Sequence, residues 1–133
     1  MPVTKETLLG LKLRQVDVPA PEIGPDAVVT VLEPDGAAWE RLSAADYPVG
    51  EDGQVHYQSQ GHLARWAIAC VVDDVGVRMF TDADTDAVAR LPASLLKRIV
   101  RAAQELAGSA IPAAVEAEAK NSSGGPSSSS PTA

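Results

Sequence analysis

At 133 residues, 45% hydrophobic but only 4% aromatic, the chain can form one domain whose modest core must be built from Leu, Val, Ile and Ala. Its 18 acidic residues against 11 basic give a net charge of −7, which repels phosphate backbones and argues against a nucleic-acid partner. One cysteine, Cys70, cannot make an internal disulfide, the first residues lack the basic-then-apolar order of a signal peptide, and the longest apolar run, 66–72, is far too short for a bilayer, so a cytoplasmic protein with no membrane contact is expected.

The first element is a short helix over residues 4–11, with Thr4 as N-cap and Leu8, Leu9 and Leu11 following; Gly10 makes it marginal. Val16 and Val18 alternate with Gln15 and Asp17, and the β-branched run 26–32 comes after a Pro/Gly-rich break. Together they predict a β-hairpin that must pack on something to be stable. Residues 34–45 predict a second helix, with Trp39 and Leu42 on one face. The stretch 47–61, with Pro48, Gly50, Gly53 and Gly61, predicts an exposed loop.

Residues 62–72 are apolar nearly all round, with Arg65 as the sole formal charge. That pattern predicts a buried central helix; a strand over 68–72 is the other possibility, and alanine content and length favour helix. Asp73-Asp74-Val75-Gly76 predicts a turn, and 77–80 an extended link. Thr81-Asp82-Ala83-Asp84 has the form of a capping box opening a short helix that ends near Leu91. Pro92 suits the first turn of the next helix. Leu95, Leu96, Ile99, Ala102, Ala103 and Leu106 line one face of it, and Gly108 is its expected C-cap. A last helix is expected over 112–120. The Ser/Gly/Pro-rich residues 121–133 have nothing to build a core from and are expected to be disordered. The fold class is therefore α+β, mostly α: a short N-terminal helix and a hairpin on a small helical bundle, with one domain over 1–120 and a tail over 121–133.

No pattern predicts catalysis. Asp82, Asp84 and Asp86 have the odd-position spacing of a calcium loop, but Ala87 and Ala93 stand where such a loop needs Gly and Glu, so an N-capped helix is the better reading. His56 and His62 have no cysteine near them; His56 reads as a solvated loop residue and His62 as a helix-start residue. Cys70, in an apolar run, reads as a small hydrophobe. Lys97, Arg98 and Arg101 cluster on one helix, by default a solvated face, with contact to an acidic partner as the sharper alternative. No phosphate loop, nucleophile elbow or zinc-helix motif occurs. The expectation is a non-enzymatic interaction domain with no cofactor, no metal and no assignable client-binding residues.

Read in order, these segments resemble one family, the small tail assembly chaperones of long-tailed bacteriophages, especially those of actinobacterial hosts. Val3 to Leu9 looks like the N-terminal helix of that family, and Gln15-Val16-Asp17-Val18-Pro19 like its first strand. Val28 to Leu32, followed by Trp39-Glu40-Arg41, looks like the second strand and next helix, with the order of the charged pair and the aromatic scrambled. Cys70 to Asp84 resembles the central signature: an apolar helix, an Asp/Gly turn, a basic residue, Phe80 and an acidic cap. Leu95 to Leu106 looks like the helix that follows, and the junction Lys120-Asn121-Ser122 with its Ser/Pro tail is also similar. The resemblance implies a host-cytoplasmic chaperone, absent from the mature virion. Such a chaperone binds the helical tape measure protein, keeps it soluble and recruits the major tail tube protein. It also implies a longer frameshifted form of the same chain. Ala119-Lys120-Asn121 can be encoded GCA AAA AAC, which contains a slippery heptamer, and this places a candidate shift near Lys120. Three rival readings are a small virion protein (a head-tail connector or tail-completion subunit), an acidic adaptor or inhibitor, and an enzyme of unrecognised type.

Overall fold

A computed structural model describes residues 1–108; the helix expected over 112–120 and the tail over 121–133 lie outside the described residues. The fold is α+β. Helix α1 (Lys5–Leu9) is capped by Thr4, whose hydroxyl accepts the Thr7 N–H, and it stops at Gly10. Strands β1 (Gln15–Pro19) and β2 (Val28–Leu32) form the expected antiparallel hairpin, in register from Gln15 opposite Leu32 to Pro19 opposite Val28. The Pro/Gly break between them closes on itself: the Ala20 N–H donates to Ala27 O, the Ile23 N–H to Ala20 O, and the Ala27 N–H to Gly24 O.

Helix α2 (Gly36–Asp46) starts two residues later than its apolar pattern suggests, because the Asp35 carboxylate caps it by accepting the Ala38 N–H at 2.8 Å. Helix α3 (His62–Cys70) buries Ala64, Trp66, Ala67, Ile68 and Cys70, as an all-round apolar helix must. It does not run to Val72. Val71 and Val72 form a third strand, β3, antiparallel to β2 with Thr30 opposite Val72 and Val31 opposite Val71. The predicted hairpin is thus two-thirds of a three-stranded sheet in the order β1-β2-β3. The physical reason is local. Two adjacent β-branched residues favour extended backbone, and the free edge of β2 offers them hydrogen bonds that a fraying last helical turn does not.

Asp73 then holds the turn, its carboxylate accepting the Val75 and Val77 N–H groups. The Arg78 guanidinium donates to Ile68 O, capping the carbonyl end of α3. Thr81 and Asp84 make the expected capping box, Asp84 Oδ2 accepting the Thr81 N–H at 2.8 Å. It opens as a 3₁₀ turn (Asp82–Asp84) that runs into α4 (Thr85–Ala89). Helix α5 (Ala93–Leu106) follows, with Pro92 as its N-cap residue, one position earlier than expected. Gly108, at φ +80°, ends it in the left-handed conformation that glycine adopts without strain. Leu95, Leu96, Ile99, Val100 and Ala103 of α5 are buried against α3 and across β1 and β2, where they meet Val18 and Val31. Helix α5 is thus the strut between helical layer and sheet.

Candidate interaction surfaces

Four of the five aromatic residues in the chain line one cleft. Trp39 and Trp66 meet edge to face with ring centroids 5.6 Å apart. His62 lies 6.0 Å from Trp66, Tyr57 lies 6.2 Å from His62, and Tyr47 lies 5.3 Å from Tyr57. These rings, with Ser43, Asp46 and Gln104, bound about 350 Å³. Trp66 is buried and Trp39 half-buried, whereas Tyr47 and Tyr57 are 54% and 57% exposed. The floor is fixed and the rim is free to meet a partner. Such a mix of rigid rings and polar tips is the composition that protein-binding surfaces concentrate.

Asp46 holds this wall together. It is the last residue of α2, buried, and its charge sits at the negative end of the helix dipole. Burial alone would raise its pKa, but hydrogen bonds more than offset that. Arg65 Nη2 donates to Oδ1 at 2.8 Å and Trp66 Nε1 to Oδ2 at 3.0 Å. His62 Nδ1 lies 3.0 Å from Oδ1. The Asp46 carboxyl is therefore held below its ordinary range. Backbone contacts extend the clasp to the loop before α3. The Gln58 N–H donates to Asp46 O at 2.6 Å, and the Arg65 guanidinium donates to Gln60 O at 2.7 Å and Gln58 O at 3.2 Å. Gly61, at φ +78°, makes the entry into α3; a Cβ there would lie 2.9 Å from Arg65 Nη1. The loop 47–61 is exposed as expected, but it is pinned at its far end and so delivers Tyr57 to the cleft.

Two other hollows differ in chemistry. Arg41, Arg65 and Arg78 border a polar cleft of about 340 Å³ between α2, α3 and the 3₁₀ turn, with Asp82 on its rim. Ile23, Val29, Met79, Phe80, Leu91 and Leu95 border a groove of about 170 Å³ with no polar lining. Helix α1 buries no residue at all: Leu8 and Leu9 on it are 56% and 77% exposed, and Leu11 just beyond it is 73% exposed.

The residues that the sequence singles out are scattered among other tasks. Asp84 caps a helix, while Asp82 and Asp86 face solvent. His56 sits in the exposed loop 3.0 Å from Asp52. His62 begins α3, as expected, and also belongs to the aromatic wall. Cys70 is buried, and desolvation pushes its thiol up to about 12 despite the nearby Arg78 charge. Lys97 and Arg101 are exposed on α5, but Arg98 folds back to Glu22 and Pro19 O, and Ser94 also donates to Glu22 at 2.6 Å. Among the described residues no group of three His, Cys, Asp or Glu side chains is placed to hold a metal, and no helix is long and apolar enough to cross a membrane. The Asp46 clasp was not visible in the sequence, where its partners lie 19 and 20 positions away. The available signal was compositional: two tyrosines in a loop of a chain otherwise almost without rings.

No family model and no curated protein matches the sequence. Among solved structures, the chain is similar to the tail assembly chaperone of bacteriophage HK97, at 20% identity and a TM-score of 0.54, over 80% of this chain and 95% of that one. At that identity the match shows a shared fold, and the fold shared is that of a phage tail assembly chaperone.

Proposed function

We propose that this protein is a tail assembly chaperone of a long-tailed phage, with the tape measure protein as its client. The observation that carries this reading is the shared fold, which spans nearly the whole of the HK97 chaperone. The surfaces agree with it. A client that is a long apolar helix needs ring-lined and cation-lined hollows for its side chains. This chain offers the Trp39–Tyr47–Tyr57 wall and, across α2, the Arg41–Arg65–Arg78 cleft for acidic residues between the apolar ones. A net charge of −7 keeps such a complex soluble. On this reading the protein acts in the host cytoplasm, promotes polymerisation of the tube protein around the client, and is missing from the finished particle. A longer product made by a frameshift near Lys120 would share residues 1–120. The protein carries no catalytic chemistry in this role.

The test begins with the gene. An overlapping frame past the stop codon, followed by a very long gene of helical pattern, identifies the client to co-express. The client should then be soluble only with this chain. Tyr57→Ala and Trp39→Ala should each weaken capture by about 30-fold, the loss of one hot-spot side chain. A client that is soluble alone, or wild-type chain found in stoichiometric amount in purified particles, would sink the proposal; the latter would favour a connector or tail-completion subunit.

A further inference from the structure

We infer that the cleft walled by Trp39, Tyr47, Tyr57 and Trp66 receives an arginine side chain of a partner protein, held by the rings and by the charge of Asp46. The inference rests on the chaperone reading only in taking this cleft as a contact surface; it adds the chemistry of the side chain that enters. Its first support is the make-up of the walls. The ring contacts from Trp39 through Trp66, His62 and Tyr57 to Tyr47 are inclined at 81°, 52°, 65° and 45°. None is a flat stack, so the rings stand as tilted panels around about 350 Å³. The face of an aromatic ring is negative and attracts a cation within about 6 Å of its centre. Neighbouring centres here are 5.3 to 6.2 Å apart, so a cation seated between two panels is in range of both.

The second support is charge. Asp46 borders the cleft, and no lysine or arginine among the described residues does. Its partner Arg65 borders the hollow on the other side of α2 instead. The ion pair therefore presents its negative end to the cleft. Hydrogen bonds hold the Asp46 carboxyl below its ordinary range, so it is ionised at neutral pH. On the α5 side, Arg101 stands one turn before Gln104 and lies against Glu105 at 3.5 Å. The net charge of −7 draws a basic segment towards the whole surface.

The third support selects arginine among possible guests. Asp46 is 4% exposed, with one oxygen accepting from Arg65 and the other from Trp66. It supplies a field, not open acceptors. A lysine ammonium is strongly hydrated and needs acceptors for its three N–H groups. A guanidinium is planar, more weakly hydrated, and stacks on ring faces. A carboxylate guest meets a field of the wrong sign. An aliphatic guest strips water from Ser43 and the tyrosine hydroxyls and replaces none of it. Tyr47 and Tyr57 at the rim are half-exposed, so a guest can enter while still attached to its own chain.

The test uses the full chain and its two tryptophans, whose indole N–H signals in an NMR spectrum both report on the cleft. The protein is titrated with N-acetyl-arginine methylamide and, in parallel, with the citrulline analogue, which has the same shape and no charge. The arginine compound should move both signals and bind more tightly than citrulline. Tyr57→Leu should weaken it roughly two- to fivefold, the worth of one exposed cation–π contact, and Tyr57→Phe should bind as wild type does. Tyr57 is on the rim, so neither change opens the core. An alanine-rich helical peptide with one central arginine should bind at least as tightly as the blocked amino acid. Unmoved indole signals, equal binding of citrulline, a Tyr57→Leu chain that binds as tightly as wild type, or a peptide that fails where the amino acid succeeds would each overturn the inference. None of these probes is the phage client, so such a result leaves client capture, and the chaperone reading with it, to its own assay.

Discussion

Replacing Asp46 with Ala tests the clasp directly. The Trp66 Nε1–H is buried and loses its acceptor, a destabilisation of about 1–3 kcal/mol. Arg65 is 26% exposed on its side chain and keeps Gln58 O and Gln60 O, so water replaces much of the carboxylate, and loss of the ion pair adds about 1 kcal/mol. Removing an anion from the negative end of α2 returns about 0.5 kcal/mol. The net is about 2–3 kcal/mol, a large share of the roughly 5–15 kcal/mol that holds a domain together. For a domain of this size that lowers Tm on the order of 10–15 °C. Urea unfolding followed by circular dichroism measures the change, and Asp46→Ala with Trp66→Phe closes a double-mutant cycle whose coupling should be about 1–2 kcal/mol. If Asp46→Ala costs less than about 0.5 kcal/mol, in the range of an ordinary surface change, the reasoning fails.

The same carboxylate gives an acid signature. Its folded pKa is lowered, so its stabilisation is complete above the ordinary Asp value of about 3.9 and is lost as pH falls below that through the lower folded value. The stability gap between wild type and Asp46→Ala should therefore narrow below about pH 4; a constant gap down to complete acid unfolding would contradict it. Gly61→Ala should cost about 1–3 kcal/mol in urea unfolding, since the new residue must adopt φ +78° and its Cβ displaces the Arg65 guanidinium. Cys70, with its thiol pushed up to about 12, should resist a thiol reagent at neutral pH until urea unfolds the chain; rapid labelling of the native protein would show that the core is open there.

The sequence carried most of the fold because its punctuation is strong. Thr4, Gly10, the Thr81–Asp84 box and Gly108 all act where they stand, and the 95-96-99-103 spacing on α5 is the buried face. What it misassigned was decided by tertiary partners. Val71 and Val72 look like the end of an apolar helix until the edge of β2 is present to receive them. Asp35 outranks the apolar pattern in setting the start of α2. The aromatic cleft was less legible still. Its members come from α2, α3 and a loop that reads as featureless, and hydrogen bonds of residues 58–60 with Asp46 O, the Arg65 guanidinium and the His62 N–H hold the Tyr57 ring centroid 6.2 Å from that of His62. Spacing in a sequence does not encode a contact made across a 15-residue excursion of the chain, the loop 47–61.

Asp46 itself argues that the cleft is selected for position and not only for stability. A buried carboxylate at a helix C-terminus is a poor choice energetically, because a wholly apolar set in place of Asp46 and the donors that pair with it would serve the core as well or better. An apolar residue, however, gives no direction. It cannot hold the Trp66 indole N–H on one oxygen and the Arg65 guanidinium on the other, and without Arg65 so oriented the carbonyls of Gln58 and Gln60 have no common donor. The stability given up at Asp46 fixes where Tyr57 stands beside Tyr47. A side chain retained at that expense is best explained by what it positions: two half-exposed tyrosines at the mouth of a tryptophan-floored cleft.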